Sequence, residues 1–152
     1  MNEDEKWMAV ALEQANKAEE HGEVPVGAVL VKDGLLIAKA HNQPISTNDA
    51  TAHAEIQVIR LAGKAMQNYR LVGTTLYVTL EPCIMCLGAI KNARVSRTVF
   101  GAYNNKNKDC QPNLNLINTN NIEFITNKIN IDGGVLEKDC KRQLKLFFTS
   151  KR

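Results

Sequence analysis

The sequence predicts an α/β domain of three layers, with helices on both faces of a mixed five-stranded sheet. Three observations carry that expectation. Helical and extended patterns alternate in the order helix, hairpin, helix, strand, helix, strand, terminal helix. The first and last helical segments each carry one apolar stripe, as helices docked on a sheet do. Finally, 152 residues suffice for one compact core, and neither a linker nor an internal repeat divides them.

Each element follows from local chemistry. Over residues 4–21, Trp7, Met8, Ala11, Leu12, Ala15 and Ala18 recur at helical spacing, and Gly22 is a natural stop. Residues 26–31 read as a buried strand, Asp33-Gly34 as a hairpin turn, and residues 35–40 as the returning strand. Pro, Ser, Thr and Asn make 43–49 a loop. Thr51 is the expected cap of a helix running to about Gly63, with Ile56, Ile59 and Leu61 turned inward. Residues 75–79 are a short strand. Glu81-Pro82 then opens a helix over 83–92, with Pro82 in its first turn. Residues 97–101 form a fourth strand and 122–125 are expected to form a fifth. Between them, 102–121 is rich in Asn and Lys and reads as a surface segment. After Gly133-Gly134, a last helix aligns Val135, Leu136, Cys140, Leu144, Phe147 and Phe148 on one face.

Composition narrows the classes of function. Hydrophobic residues make up 44% and charged residues 23%, ordinary values for a globular domain. No apolar run approaches the roughly 18 residues that cross a bilayer. The acidic start, Met1-Asn2-Glu3-Asp4-Glu5, lacks the basic and apolar regions of a secretory signal, so a cytoplasmic location is expected. A net charge of +3 is compatible with a nucleic-acid partner without requiring one. In a reducing compartment, four cysteines point to metal binding, catalysis or burial and away from a disulfide framework.

The chemistry lies in two short motifs, His53-Ala54-Glu55 and Pro82-Cys83-Ile84-Met85-Cys86. Cys83 and Cys86 are three apart, so on a helix both sulfurs project from one face. In the first turn of that helix, the positive end of the backbone dipole favours thiolate over thiol. Two thiolates form half of a tetrahedral zinc site, and His53 supplies a third ligand suited to the same ion. Three protein ligands leave the fourth position to water, the mark of a catalytic zinc as opposed to a structural one. Glu55 points to another side of its helix. It is poorly placed to ligate beside His53, yet near enough to take and return a proton. A Cys-x-x-Cys by itself is more often a structural half-site or a redox pair; its combination with His-Ala-Glu is far more specific. A closed structural site would need a fourth ligand, for which His21, His41, Cys110 and Cys140 are the candidates, none with tidy spacing. Cys140 sits on the apolar stripe of the last helix and is expected to be buried, and Cys110 to be an exposed thiol.

These motifs resemble those of the cytidine deaminase superfamily and, more narrowly, of the bacterial tRNA-specific adenosine deaminases. The likeness extends to about Tyr103. It takes in Glu23-Val24-Pro25-Val26-Gly27-Ala28-Val29, His41-Asn42-Gln43-Pro44-Ile45, Thr51-Ala52-His53-Ala54-Glu55 and Val99-Phe100-Gly101-Ala102. Asn68-Tyr69-Arg70-Leu71 joined to Leu76-Tyr77-Val78-Thr79 is particularly similar to the tRNA enzymes. The resemblance implies a cytidine-deaminase-like fold, one zinc ion per subunit on His53, Cys83 and Cys86, and Glu55 as the catalytic acid and base. It also implies a homodimer that binds the tRNA anticodon stem-loop and converts the wobble adenosine to inosine. In the same way it implies that Asn42 binds the flipped nucleoside, the alternative being an Asn that caps a loop, and that Val26 and Ala54 line the purine pocket. Glu81 is expected to bond either the zinc region or its own helix.

The chain departs from that pattern after Ala102. Similar enzymes carry an Asp, a Lys-Thr-Gly and a Gly-Ser in this region, where this sequence reads Asn104-Asn105-Lys106-Asn107-Lys108-Asp109-Cys110. Asn at 104 removes a negative charge and an acceptor for a ribose hydroxyl, so looser discrimination against single-stranded DNA is expected if the segment touches RNA. The last helix bears Lys138, Lys141, Arg142, Lys145, Lys151 and Arg152, suited either to flanking phosphates or to a solvated face. Two other functions stay open on the residues alone. One is a free-base or nucleotide deaminase of the guanine or cytosine type, with the same zinc; the other is a non-catalytic zinc protein, for which Glu55 has no use.

Overall fold

The computed structural model describes residues 1–104 and 129–151. Its elements are α1 (Glu3–Glu20), β1 (Gly27–Lys32), β2 (Leu35–His41), α2 (Pro44–Thr47), α3 (Ala54–Met66), β3 (Thr74–Leu80), α4 (Ile84–Ala93), β4 (Arg97–Ala102), β5 (Ile131–Asp132) and α5 (Glu137–Ser150). The sheet has five strands in the order β2-β1-β3-β4-β5. It is mixed, as expected: β1 runs antiparallel to both β2 and β3, whereas β3–β4 and β4–β5 are parallel.

Alternation along the strands divides the core in two. Ala28 and Leu30 of β1, Leu76 and Val78 of β3 and Phe100 of β4 point to one side, with Val58 and Ala62 of α3 and Ile90 of α4. Val29 and Val31, Tyr77 and Val99 point to the other, with Trp7, Met8 and Ala11 of α1 and Cys140 of α5. The sheet therefore lies between an α3/α4 layer and an α1/α5 layer. Small residues on α1 let it approach closely: a Cβ on Gly27 would overlap the Ala11 carbonyl. The hairpin turn is where the sequence places it, with Asp33 and Gly34 both at positive φ (52° and 74°).

Several boundaries differ from the sequence reading. Residues 44–47 of the expected loop form the short α2, which Pro44 opens. Thr51 does not cap α3; its N–H and hydroxyl both donate to Asp49 Oδ1, at 2.9 and 2.7 Å, and the N-cap is His53. The buried face of α3 is Ala54, Glu55, Val58 and Ala62, so Leu61 faces outward at 47% exposure. Gly63 does not end that helix, which closes at Gln67 in the left-handed region. Pro82 precedes α4, whose N-cap is Cys83. The strand expected at 122–125 lies outside the described residues, as does Cys110; the fifth strand of the sheet is Ile131–Asp132. Cys140 is buried, as its place on the stripe implied, whereas Phe148 lies outside the buried face of α5.

One polar network ties the layers at the edge remote from the two motifs. Arg97 donates through Nη1 and Nη2 to the carboxylate of Asp4, at 2.8 and 2.9 Å, and through Nη2 to Asp132 at 3.1 Å. The Tyr77 hydroxyl also donates to Asp4, at 2.8 Å. The bonds from Arg97 hold the Asp4 carboxyl below its ordinary range, against the opposing effect of burial. A depressed carboxyl stabilises the fold above the unfolded-state pKa and loses that contribution as pH falls through the folded one. Asp4→Asn should therefore cost about 1 kcal/mol at neutral pH, the scale of a partly exposed ion pair. Denaturant melts should show the difference from wild type shrinking below about pH 4; a difference constant with pH would contradict this account.

Candidate active site

Two helix starts converge at the site. His53 caps α3 and Cys83 caps α4, and the His53 side chain makes no bond to its own helix, as a Ser, Thr or Asp in that position would. They turn toward each other. His53 Nδ1 lies 3.6 Å from Cys83 Sγ and 3.5 Å from Cys86 Sγ. The three ligand atoms lie within 4.8 Å of one another, and among the described residues no other group of three or more His, Cys, Asp or Glu is so arranged. His21, His41 and Cys140 are not part of it.

The donor set fits zinc. With Zn–N near 2.0–2.1 Å and Zn–S near 2.3 Å, a tetrahedral angle separates nitrogen from sulfur by about 3.6 Å. The Cys86 thiol donates to Cys83, holding the Cys83 thiol down at about 4, while the same bond pushes Cys86 up. The Cys83 sulfur in turn raises the His53 imidazole. Both sulfurs sit at the start of a ten-residue helix, whose positive end favours thiolate over thiol.

Glu55, in the first turn of α3, is 4% exposed and lies beside this group without belonging to it. Burial pushes its carboxyl up to about 7, and the charge of Cys83 adds to the shift. The other expected residues come together next to it. Asn42 donates its N–H to Val26 O at 3.0 Å, and its Oδ1 accepts the Ala54 N–H at 3.2 Å. Asn42 therefore caps α3 from across the fold, freeing His53 from that task. Its Nδ2 has no hydrogen-bond partner among the described residues. Val26 and Ala54 are buried.

A match to a family model decides the family: residues 1–102 match the cytidine and deoxycytidylate deaminase zinc-binding region. The chain belongs to this deaminase family. Full-length relatives narrow the comparison. A tRNA-specific adenosine deaminase of Buchnera aphidicola subsp. Schizaphis graminum is 49% identical, the match covering 99% of this chain and 97% of the relative. One of Bacillus subtilis is 45% identical, covering 100% and 92%. A solved structure from a study of A-to-I editing by tRNA:A34 deaminases superposes with a TM-score of 0.78 at 39% identity, covering 91% of this deaminase and 98% of that chain.

Two acids of the deaminase site were not resolved by sequence reasoning. Glu23 is 1% exposed, and its carboxylate accepts the N–H groups of Ile45 (3.1 Å) and Ser46 (2.7 Å). Burial alone would raise its pKa, but those backbone bonds leave it below the ordinary range. It thereby anchors α2, two residues beyond Asn42. The only local signal was an acidic residue directly before the apolar Val24-Pro25-Val26 run. Glu81 accepts the Asn104 N–H at 2.9 Å, which ties the end of β4 to the approach to Cys83.

Two outcomes test this geometry. Purified protein should carry about one zinc per chain by elemental analysis, and His53→Ala or Cys83→Ser should lose most of it. Unchanged metal content in both variants would place the ion elsewhere. Glu23→Ala should destabilise by about 2 kcal/mol, because two backbone donors lose a charged acceptor. Hydrogen exchange should quicken first at Ile45 and Ser46; acceleration spread evenly over the chain would argue against a local anchor.

Proposed function

We propose that this chain is a zinc-dependent hydrolase that deaminates adenosine to inosine at the wobble position of a tRNA anticodon. The observation that carries the reading is Glu55: a buried carboxylate beside three metal donors and outside their set. A purely structural zinc site has no use for it. Relatives 45–49% identical over nearly the whole chain are tRNA-specific adenosine deaminases, which favours RNA over a free base as the substrate.

When bound, zinc on His53, Cys83 and Cys86 supplies the Lewis acidity that makes water nucleophilic near neutral pH. Glu55 does the proton work. Its carboxylate takes a proton from the attacking water and passes it to a ring nitrogen as oxygen adds at the purine C6. It then takes the remaining proton from the added hydroxyl and delivers it to the amino group, the C6–N bond breaks, and ammonia leaves an inosine carbonyl. A carboxyl near 7 is suited to both accepting and donating. The free Nδ2 of Asn42 meets an acceptor of the nucleoside, and Val26 and Ala54 bound the purine. A stacked base cannot enter such a site, so the target is a loop adenosine flipped out of its strand.

The partners follow the same reading. The exposed Lys138, Lys141, Arg142 and Lys145 of α5 are available to phosphates flanking the anticodon loop. Leu61 on α3, Ile84 on α4 and Tyr69 and Val72 in the connection before β3 leave apolar surface exposed, which a second copy in a homodimer would cover. No helix among the described residues is long and apolar enough to cross a membrane. Action on tRNA agrees with a cytoplasmic location. The 152 residues work as one zinc-dependent deaminase domain.

The test is mass spectrometry of an anticodon stem-loop RNA after incubation with zinc-loaded protein. Wild type should form inosine, and Glu55→Ala should lose at least about 100-fold in rate, the usual scale of general acid–base catalysis, while keeping its zinc. Near-normal turnover by that variant would refute the role of Glu55. Ammonia released from free guanine or cytosine, with the RNA untouched, would transfer the activity to a free-base enzyme.

A further inference from the structure

The two histidines outside the metal group meet each other. His21 closes α1 and His41 ends β2; their ring centroids are 5.8 Å apart and their planes lie within 12° of parallel. The backbone fixes both rings. His21 Nδ1 is 2.7 Å from Lys17 O, and His41 Nδ1 is 3.1 Å from Asn42 O. A carbonyl oxygen only accepts, so Nδ1 carries the proton in each neutral ring, which sets the tautomer and restrains the ring's rotation. Neither ring is in the core: His21 is exposed and His41 half-buried. Packing therefore does not account for the pair.

Its position points to a use. His41 directly precedes Asn42, whose side chain holds the first N–H of α3 beside His53. A nucleotide next to a flipped base has lost a stacking partner, and its exposed face gains from a flat aromatic surface. A ring whose orientation is already set loses little conformational freedom when it provides that surface. We propose that the His21–His41 stack is a platform for a base flanking the target adenosine in the RNA loop. The inference rests on the reading of the chain as an RNA adenosine deaminase.

The experiment uses the zinc-loaded full chain and stem-loop RNAs carrying 2-aminopurine immediately 5′ or 3′ of the target adenosine. Stacking on an aromatic ring quenches this base. Wild type should quench one of the two positions. His21→Ala should abolish that quench and raise KM about five-fold or more, the lower end of base–aromatic stacking, with the change falling on KM and not on kcat. His21→Phe keeps a ring but lacks the bond to Lys17 O, and it should restore both the quench and the KM. A Phe variant that behaves like the Ala variant would show that closure of α1 is what matters, and would overturn the platform. Inosine formed without quenching at either position overturns the platform alone. No inosine from wild type, read by mass spectrometry in the same samples, overturns the deaminase reading and the platform with it.

Discussion

The constraint on which the site depends is that two helices begin at one point with the side chains of their first residues turned toward each other. An N-cap side chain ordinarily bonds an N–H of its helix. At α3 the N-cap is an imidazole that makes no such bond, and at α4 it is a thiol whose sulfur faces that imidazole. What frees His53 is Asn42, which reaches over from the end of β2 to take the Ala54 N–H. The same amide thus satisfies a buried backbone donor and leaves a metal ligand available. Glu55 follows from this arrangement: with His53 fixed as the cap, the residue two places on falls on the buried side of α3, next to the sulfurs.

The sheet supplies the rigidity that such a convergence requires. β1 and β3 are buried on both faces, and their alternate residues lock into the α3/α4 layer on one side and the α1/α5 layer on the other. Three sheet-to-loop bonds carry that order into the site: Asn42 N–H to Val26 O, Glu81 N–H to Ala102 O, and Glu81 Oε1 from Asn104 N–H. Glu23 does the same for α2, with a buried charge in place of an apolar contact. The polar atoms around the donors are therefore set by tertiary bonds, whereas the apolar ones are set by periodicity.

That division explains what was legible in the sequence. Strand and helix patterns fix which residues face the core, so the layers, the hairpin turn and the burial of Cys140 could be read directly. The donor trio was legible because metal chemistry restricts both residue type and spacing, and His53, Cys83 and Cys86 satisfy both. Local rules failed where a distant residue took over a local task. Thr51 looks like a cap, but Asn42 performs that task and Thr51 is occupied with Asp49. Leu61 was expected inside because it is large and apolar, yet the buried face of α3 is narrow and filled by Ala54, Val58 and Ala62. Glu23 and α2 define each other across more than twenty residues, and nothing local to either announces the other. The short β5 pairs with β4 through backbone bonds, and Arg97 meets Asp132 beside them, a contact invisible to periodicity.

The bonds of Glu81 and Arg97 have one more consequence, for how this fold can vary. Glu81 grips the chain at Asn104, and Arg97 with its strand partner grips it again at Ile131–Asp132. Both stems of the intervening stretch are thus held at the sheet, one by the residue that follows β3 and the other by the first residue of β4. Lengthening a tether between fixed posts is entropically mild, about 0.6 kcal/mol for each doubling. Changes of length between those posts therefore leave the sheet and the donor group undisturbed.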